Sequence, residues 1–281
     1  MSYRTIAVHV NASAHTPARV ELAARLAALH ESHLVGMAAT GGASAFYAAG
    51  LAGEGAVALG AYLEFMRESA KTWLAAFEAG ARKEGAPSFE PRMIDDESGI
   101  ALCLQARYSD LLVVGQPDPA ERGSGERADA GEYALLNCGK PVLFVPYSGR
   151  FDTVGKRVVI AWDGSLEASR AVSGAIPLLR RADLVQVTVF DPEIGPAAHG
   201  EEPGADIALY LARHGVKVEV ERQRTGREID IGNALLSHLS DFGADLLVMG
   251  GYGHARVREI LMGGVSRTVL RSMTVPVLMS H

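Results

Sequence analysis

Ala244-Asp245-Leu246-Leu247-Val248-Met249-Gly250 has an earlier counterpart in Ser109-Asp110-Leu111-Leu112-Val113-Val114-Gly115, at an offset of 135 residues (109 to 244). At the same offset Pro141-Val142-Leu143 matches Pro276-Val277-Leu278. Two separate anchors sharing one offset mark an internal repeat. The openings correspond as well: Thr5-Ile6-Ala7-Val8-His9-Val10-Asn11-Ala12-Ser13 resembles Arg157-Val158-Val159-Ile160-Ala161-Trp162-Asp163-Gly164-Ser165, here at an offset of 152 (5 to 157). The first copy therefore carries about seventeen extra residues, and the Gly- and Ala-rich stretch 40–60 is their natural place, as a mobile loop or a short helix. The chain of 281 residues divides into domains 1–150 and 151–281, each of ordinary domain size.

Each copy alternates strand and helix. In the second, strands are expected over 158–162, 184–190, 216–221, 246–249 and 275–279, and helices over 166–179, 206–214, 229–242 and 265–272. Strands separated by helices need crossover connections, so the fold class is α/β: two tandem doubly wound parallel-sheet domains of five strands each. Pro141 and Pro276 place the last strand of each copy at an edge, or fall at its first residues.

Composition excludes several functions. The formal net charge of −6 offers no broad basic field for nucleic acid, and no uninterrupted apolar run is long enough to span a membrane. Met1-Ser2-Tyr3-Arg4 leads at once into a strand pattern, without a signal peptide, and the expected location is the cytoplasm. Cys103 and Cys138 lack the spacing of a metal knuckle or redox pair and read as small buried hydrophobes.

Open α/β sheets bind ligands beyond the carboxyl ends of their strands. Two segments of the second copy lie there. Asp163, in Asp163-Gly164-Ser165, can accept hydrogen bonds from a ribose hydroxyl or an amine, or can serve with Ser165 to cap the next helix. The second segment runs from Gly250-Gly251-Tyr252-Gly253, through His254, Arg256 and Arg258, to Gly263-Gly264-Val265-Ser266. Glycines permit positive φ and close approach of a backbone, and free amides at a helix start favour an anion, so the segment reads as a phosphate cradle. The alternative is that these glycines only make tight turns. A dinucleotide fingerprint fails because Arg256 stands where its third glycine belongs. A Walker A loop fails because Pro141 and Arg157 follow the Gly-Lys pairs. His30-Glu31-Ser32-His33 is a helix end leading into a strand, since its histidines are three apart rather than four.

Gly250-x-x-Gly253, nine residues and Gly263, together with the flanking Ala244–Gly250 and Val275–Leu278 segments and the Asp163-Gly164-Ser165 opening, resemble the nucleotide-binding pattern of universal stress proteins. The resemblance covers both halves and implies a tandem form with an adenine-nucleotide alpha-hydrolase-like fold. It implies that Asp163 contacts the adenosine of ATP, that the backbone of Val189 meets the adenine, that Gly250 and Gly253 approach the ribose and phosphates, and that Gly263, Gly264 and Val265 hold phosphate through their amides. ATP, with or without Mg2+, is the implied cofactor. Gly264 stands where ATP-binding members have Ser or Thr, which removes a hydroxyl but keeps the amides. In the first copy Asn11 replaces the aspartate, Gln116, Pro117 and Asp118 replace Gly251, Tyr252 and Gly253, and Ala128 and Asp129 replace the glycine pair. A lost amide donor and two added carboxylates oppose phosphate binding there. That copy is expected to be structural, pairing within the chain with the second as family members pair in dimers, and a homodimer of the whole chain is compatible with this. The implied function is a cytoplasmic stress sensor or regulator with at most slow hydrolysis, because no residue is an obvious base for water. The alternative is a nucleotide-free tandem module that docks a protein partner.

Overall fold

The computed structural model describes residues 2–41, 54–121, 130–192, 202–226, 230–253 and 264–281. The chain forms two compact units, Ser2–Lys140 and Pro141–His281.

The first unit contains β1 (Thr5–His9), α1 (Thr16–His30), β2 (His33–Ala39), α2 (Glu54–Lys83), β3 (Ser88–Ile94), α3 (Ser98–Ala106), β4 (Leu111–Gly115) and α4 (Ala130–Asn137). Its strands run in the order β3-β2-β1-β4, all parallel. The second unit contains β5 (Val142–Val145), β6 (Arg157–Ala161), α5 (Leu166–Leu179), β7 (Leu184–Phe190), α6 (Ala205–Arg213), β8 (Val218–Gln223), α7 (Ile231–Phe242), β9 (Leu246–Gly250), α8 (Val265–Ser272) and β10 (Val277–Ser280). Its order is β5-β10-β9-β6-β7-β8, parallel except where β5 meets β10 antiparallel, with Leu143 opposite Leu278. The α/β class of doubly wound parallel sheets, with five strands written in each copy, is as the sequence indicates.

The duplicated motif now has a physical meaning. Its apolar residues are the central strands β4 and β9, whose Leu111–Val113 and Leu246–Val248 are fully buried. Strands covered on both faces need apolar side chains at every position rather than alternation. Its aspartate, just before that strand, ties the strand's start to the start of the opening strand. Asp110 accepts the amides of Arg4 and Thr5 at 2.6 and 3.0 Å, while Asp245 accepts those of Gly155, Lys156 and Arg157 at 3.1, 3.0 and 2.9 Å.

Several expectations shift. The compact division falls at 140/141 instead of 150/151, because β5 is hydrogen-bonded to β10 and Pro141 packs on Gly174 of α5, where an added Cβ would sit 2.9 Å from the proline ring. β10 lies between β9 and β5, so Pro276 sits just before its strand rather than at an edge. The extra residues of the first copy are not a short loop alone. Residues 54–60 open the 30-residue α2, against a 9-residue α6 at the corresponding place in the second copy, while 42–53 lie outside the described residues. His30 ends α1, Glu31 caps it in the left-handed region at φ 55°, and β2 begins at His33, as read from the sequence. Both cysteines are free and buried, and burial pushes the Cys103 thiol up to about 11, so neither is reactive.

Candidate functional site

In the second unit the strand order reverses between β6 and β9: β7 and β8 lie to one side, β10 to the other. Crevices form at such a switch because the connections leave in opposite directions. Both candidate segments emerge there, Asp163 two residues after β6 and Gly250 as the last residue of β9.

Ser165 is the N-cap of α5, its Oγ accepting the Ala168 amide at 3.1 Å. Asp163 therefore does not cap the helix. Its Oδ1 accepts the Ser165 amide at 2.9 Å, fixing the turn, and the residue is exposed at the crevice. Gly164 takes φ 74°, which a side chain would oppose.

The glycine turn differs from the sequence expectation in how it uses its glycines. The left-handed residue is Tyr252, at φ 52°, whereas Gly250, Gly251 and Gly253 lie outside the left-handed region. Gly250 is required by packing: a Cβ there would fall 2.7 Å from the Ala168 amide nitrogen and 3.0 Å from the Glu167 Cβ. The start of α5 thus fills the space that a ligand was expected to take. Gly253 is under no such constraint among the described residues, where a Cβ would meet only the end of Glu167, with Oε2 at 3.5 Å. The Tyr252 amide donates to Ser266 Oγ at 3.1 Å, which braces the turn against the first turn of α8. Ser266 is buried and so commits its oxygen to the turn. Gly264 is the N-cap of α8, and without a side chain it leaves the helix uncapped, with the Val265 amide at its start. Gly263, His254, Arg256 and Arg258 lie outside the described residues, as do Ala128 and Asp129.

Val189 is buried in β7, and its main chain is directed toward β8. It shares the parity of Val185 and Asp191, whose amides donate to Lys217 O at 2.9 Å and Gln223 O at 2.8 Å. The main chain turned the other way is that of Phe190, two residues beyond the last β6 pairing, Ala161 with Thr188.

Glu167 was not singled out by motif reading. It stands in the first turn of α5, only 6% exposed, and its Oε2 is buried without a hydrogen-bond partner. The available signal was a carboxylate on the inward stripe of an apolar helix, beside Ala168 and Ala171.

In the first unit the same place is built differently. Arg19, 3% exposed, reaches across the switch from α1: Nε donates to His9 O at 2.8 Å, and Nη2 to Asn11 Oδ1 at 2.7 Å and Thr16 Oγ1 at 2.9 Å. A Cβ on Gly115 would lie 2.0 Å from its Nη1. The position matching Arg19 in the second copy is the buried Ala171. Asp118 pairs with His15 Nε2 at 2.9 Å, and its carboxyl is held below the usual range, first by the Ala120 amide and then by His15.

Residues 155–281 match the family described as the universal stress protein family. Universal stress protein Slr1230 of Synechocystis sp. is 30% identical over 172 residues, 60% of this chain and 57% of that protein, so the match spans a little over half of the relative's length. A universal stress protein from Archaeoglobus fulgidus shares the fold across 98% of this chain and 94% of its own, with TM-score 0.74 and 15% identity. A putative universal stress protein from Pseudomonas aeruginosa does so across 98% and 92%, with TM-score 0.57 and 16% identity. No described helix is long and apolar enough to cross a membrane.

Proposed function

We propose that the second unit, like universal stress proteins, binds an adenine nucleotide at the β6/β9 switch, ATP included as its Mg2+ complex, and that the protein acts as a cytoplasmic stress sensor or regulator. The observation that carries this reading is the meeting of three elements at one crevice: the exposed Asp163 carboxylate, the turn ending in the sterically free Gly253, and the uncapped start of α8 tied to that turn through Ser266.

The residues present fit such a ligand. Asp163 has an oxygen to offer a sugar hydroxyl, Phe190 and its neighbour Val189 offer main chain beside an adenine, and Gly264 and Val265 offer amides to phosphate. Gly250 supports the site by letting α5 approach β9. The nucleotide brings phosphate charge and a transferable phosphoryl group; the protein's residues bind and orient it. Any hydrolysis is expected to be slow.

The first unit does not hold a nucleotide in this reading, because Arg19 occupies the space between Asn11 and Gly115. Its sequence copy instead serves the second structurally, supported by the pairing of β5 with β10. Calorimetry of ATP with the intact protein and with Gly253→Val tests the proposal. Saturable binding lost in the variant supports it. An intact protein that takes up no adenine nucleotide, with or without Mg2+, leaves the docking-module reading in its place.

A further inference from the structure

The two copies treat one pair of positions in opposite ways. Continuing the match of their openings by two residues aligns His15 with Glu167, and the strand-end match aligns Asp118 with Gly253. In the first unit these positions face each other and are joined, His15 Nε2 to Asp118 Oδ2 at 2.9 Å. In the second they face each other too, since a Cβ on Gly253 would lie 3.5 Å from Glu167 Oε2, but nothing joins them. No cation among the described residues pairs with Glu167. Arg170, one turn along α5, donates to His281 O at 3.0 Å instead.

A buried carboxylate oxygen without a partner is costly unless something outside the chain completes it. The amides at the start of α5 offset part of its charge but leave the oxygen unbonded. Gly253 brings no side chain against it, where a Cβ would stand 3.5 Å from Oε2. A buried, unbonded acceptor beneath a glycine turn is matched by a donor on the ligand, and it repels a bare phosphate.

We propose that Glu167 is a ligand-binding residue, accepting a hydrogen bond from a sugar hydroxyl, and that it sets the site's preference for a nucleoside or phosphate-poor nucleotide over metal-free nucleoside triphosphate. This rests on the adenine-nucleotide reading and specifies which part of the ligand lies under Gly253. Asp163, exposed just before the α5 start, is thereby left for a second polar group of the ligand.

The test is calorimetry of adenosine, AMP and ATP in EDTA with wild type, Glu167→Gln and Gly253→Ala. Wild type is expected to bind adenosine and AMP more tightly than ATP. Glu167→Gln is expected to shift the adenosine-to-ATP affinity ratio toward ATP by roughly tenfold, since the charge is removed at constant shape. Gly253→Ala is expected to weaken adenosine binding at an unchanged melting temperature, which keeps the proposal testable if the glutamine variant does not fold. If both ligands bind and neither variant alters its measured quantity, Glu167 is not a ligand residue and the nucleotide reading stands. If none of the three ligands binds wild type, the nucleotide reading itself fails and takes this assignment with it.

Discussion

Asp245 accepts the backbone amide of Arg157 at 2.9 Å, 88 positions earlier in the chain, and so pins the start of β6 to the loop before β9. The same carboxylate takes the amides of Gly155 and Lys156, so three donors at the entrance of one strand depend on one side chain. Hydrogen bonds to a charged acceptor are stronger than neutral ones. Asp245→Ala is expected to destabilise the second unit by roughly 2–3 kcal/mol, and Asp245→Asn, which keeps one acceptor oxygen, by about half of that. Urea unfolding followed by a probe in the second unit measures both. Equal midpoints for wild type and the alanine variant would show that the motif's aspartate is not structural.

The two glycines that frame the turn are expected to separate cleanly. Gly250→Ala forces a Cβ to within 2.7 Å of the Ala168 backbone nitrogen, which cannot move without shifting α5, and overpacking of this kind costs about 1–3 kcal/mol. Gly253→Ala meets only the end of Glu167 and is expected to melt within experimental error of wild type. Thermal melts of the two variants side by side check this. A Gly253→Ala protein as unstable as Gly250→Ala would mean that both glycines serve packing alone.

This contrast shows where the sequence was legible and where it stopped. The repeat offset, the βα alternation and the helices over 166–179 and 265–272 could be read because burial writes itself as apolar periodicity and helix ends as capping residues. The partner of β5 had no local signal, because a strand's pairing runs through main-chain groups that every residue shares; only the family resemblance, in which members often pair through their last strands, pointed to it. The length of α2 was hidden by the Gly- and Ala-rich text before it, whose composition suits a loop as well as a helix. The turn's four residues were recognised as a unit, yet the left-handed φ fell on Tyr252 and the steric need on Gly250. Glu167 and Arg19 act through neighbours distant in sequence, and a single chain carries no local signal for such contacts.

His238 gives the second unit a defined response to acid. It stands on α7, facing the sheet, with Nε2 near Gln186 Oε1 at 2.6 Å and Thr188 Oγ1 at 3.1 Å, and Nδ1 at 2.6 Å from Gln223 Nε2. The Gln223 amide donates to Nδ1, which must then be unprotonated. Burial lowers its pKa from the ordinary 6.5, more than the nearby Glu221 and Asp241 raise it. The unfolded chain therefore takes up the proton first. Its contribution to stability is present above pH 6.5 and is lost as pH falls through the lower folded value. Urea midpoints of the second unit are expected to decline from pH 7 toward pH 5, and His238→Gln is expected to flatten that decline. A variant with the same slope as wild type would place the acid sensitivity elsewhere.

Arg19 and Gly115 should behave as one element. The guanidinium holds His9 O, Asn11 Oδ1 and Thr16 Oγ1, and its Nη1 stands 2.0 Å from where a Gly115 Cβ would be. Gly115→Ala must push a buried, hydrogen-bonded cation off its acceptors, at a cost of roughly 2–4 kcal/mol. Arg19→Ala leaves those acceptors buried without their donor and is expected to cost about 2 kcal/mol or more. In the double variant the methyl group enters space that the guanidinium has vacated, so the combined loss is expected to fall short of the sum by about 1–2 kcal/mol. A double-mutant cycle by chemical denaturation of the first unit measures this coupling. Strict additivity would mean that Arg19 does not fill the crevice between Asn11 and Gly115, and the argument against a nucleotide in the first unit would lose its steric basis.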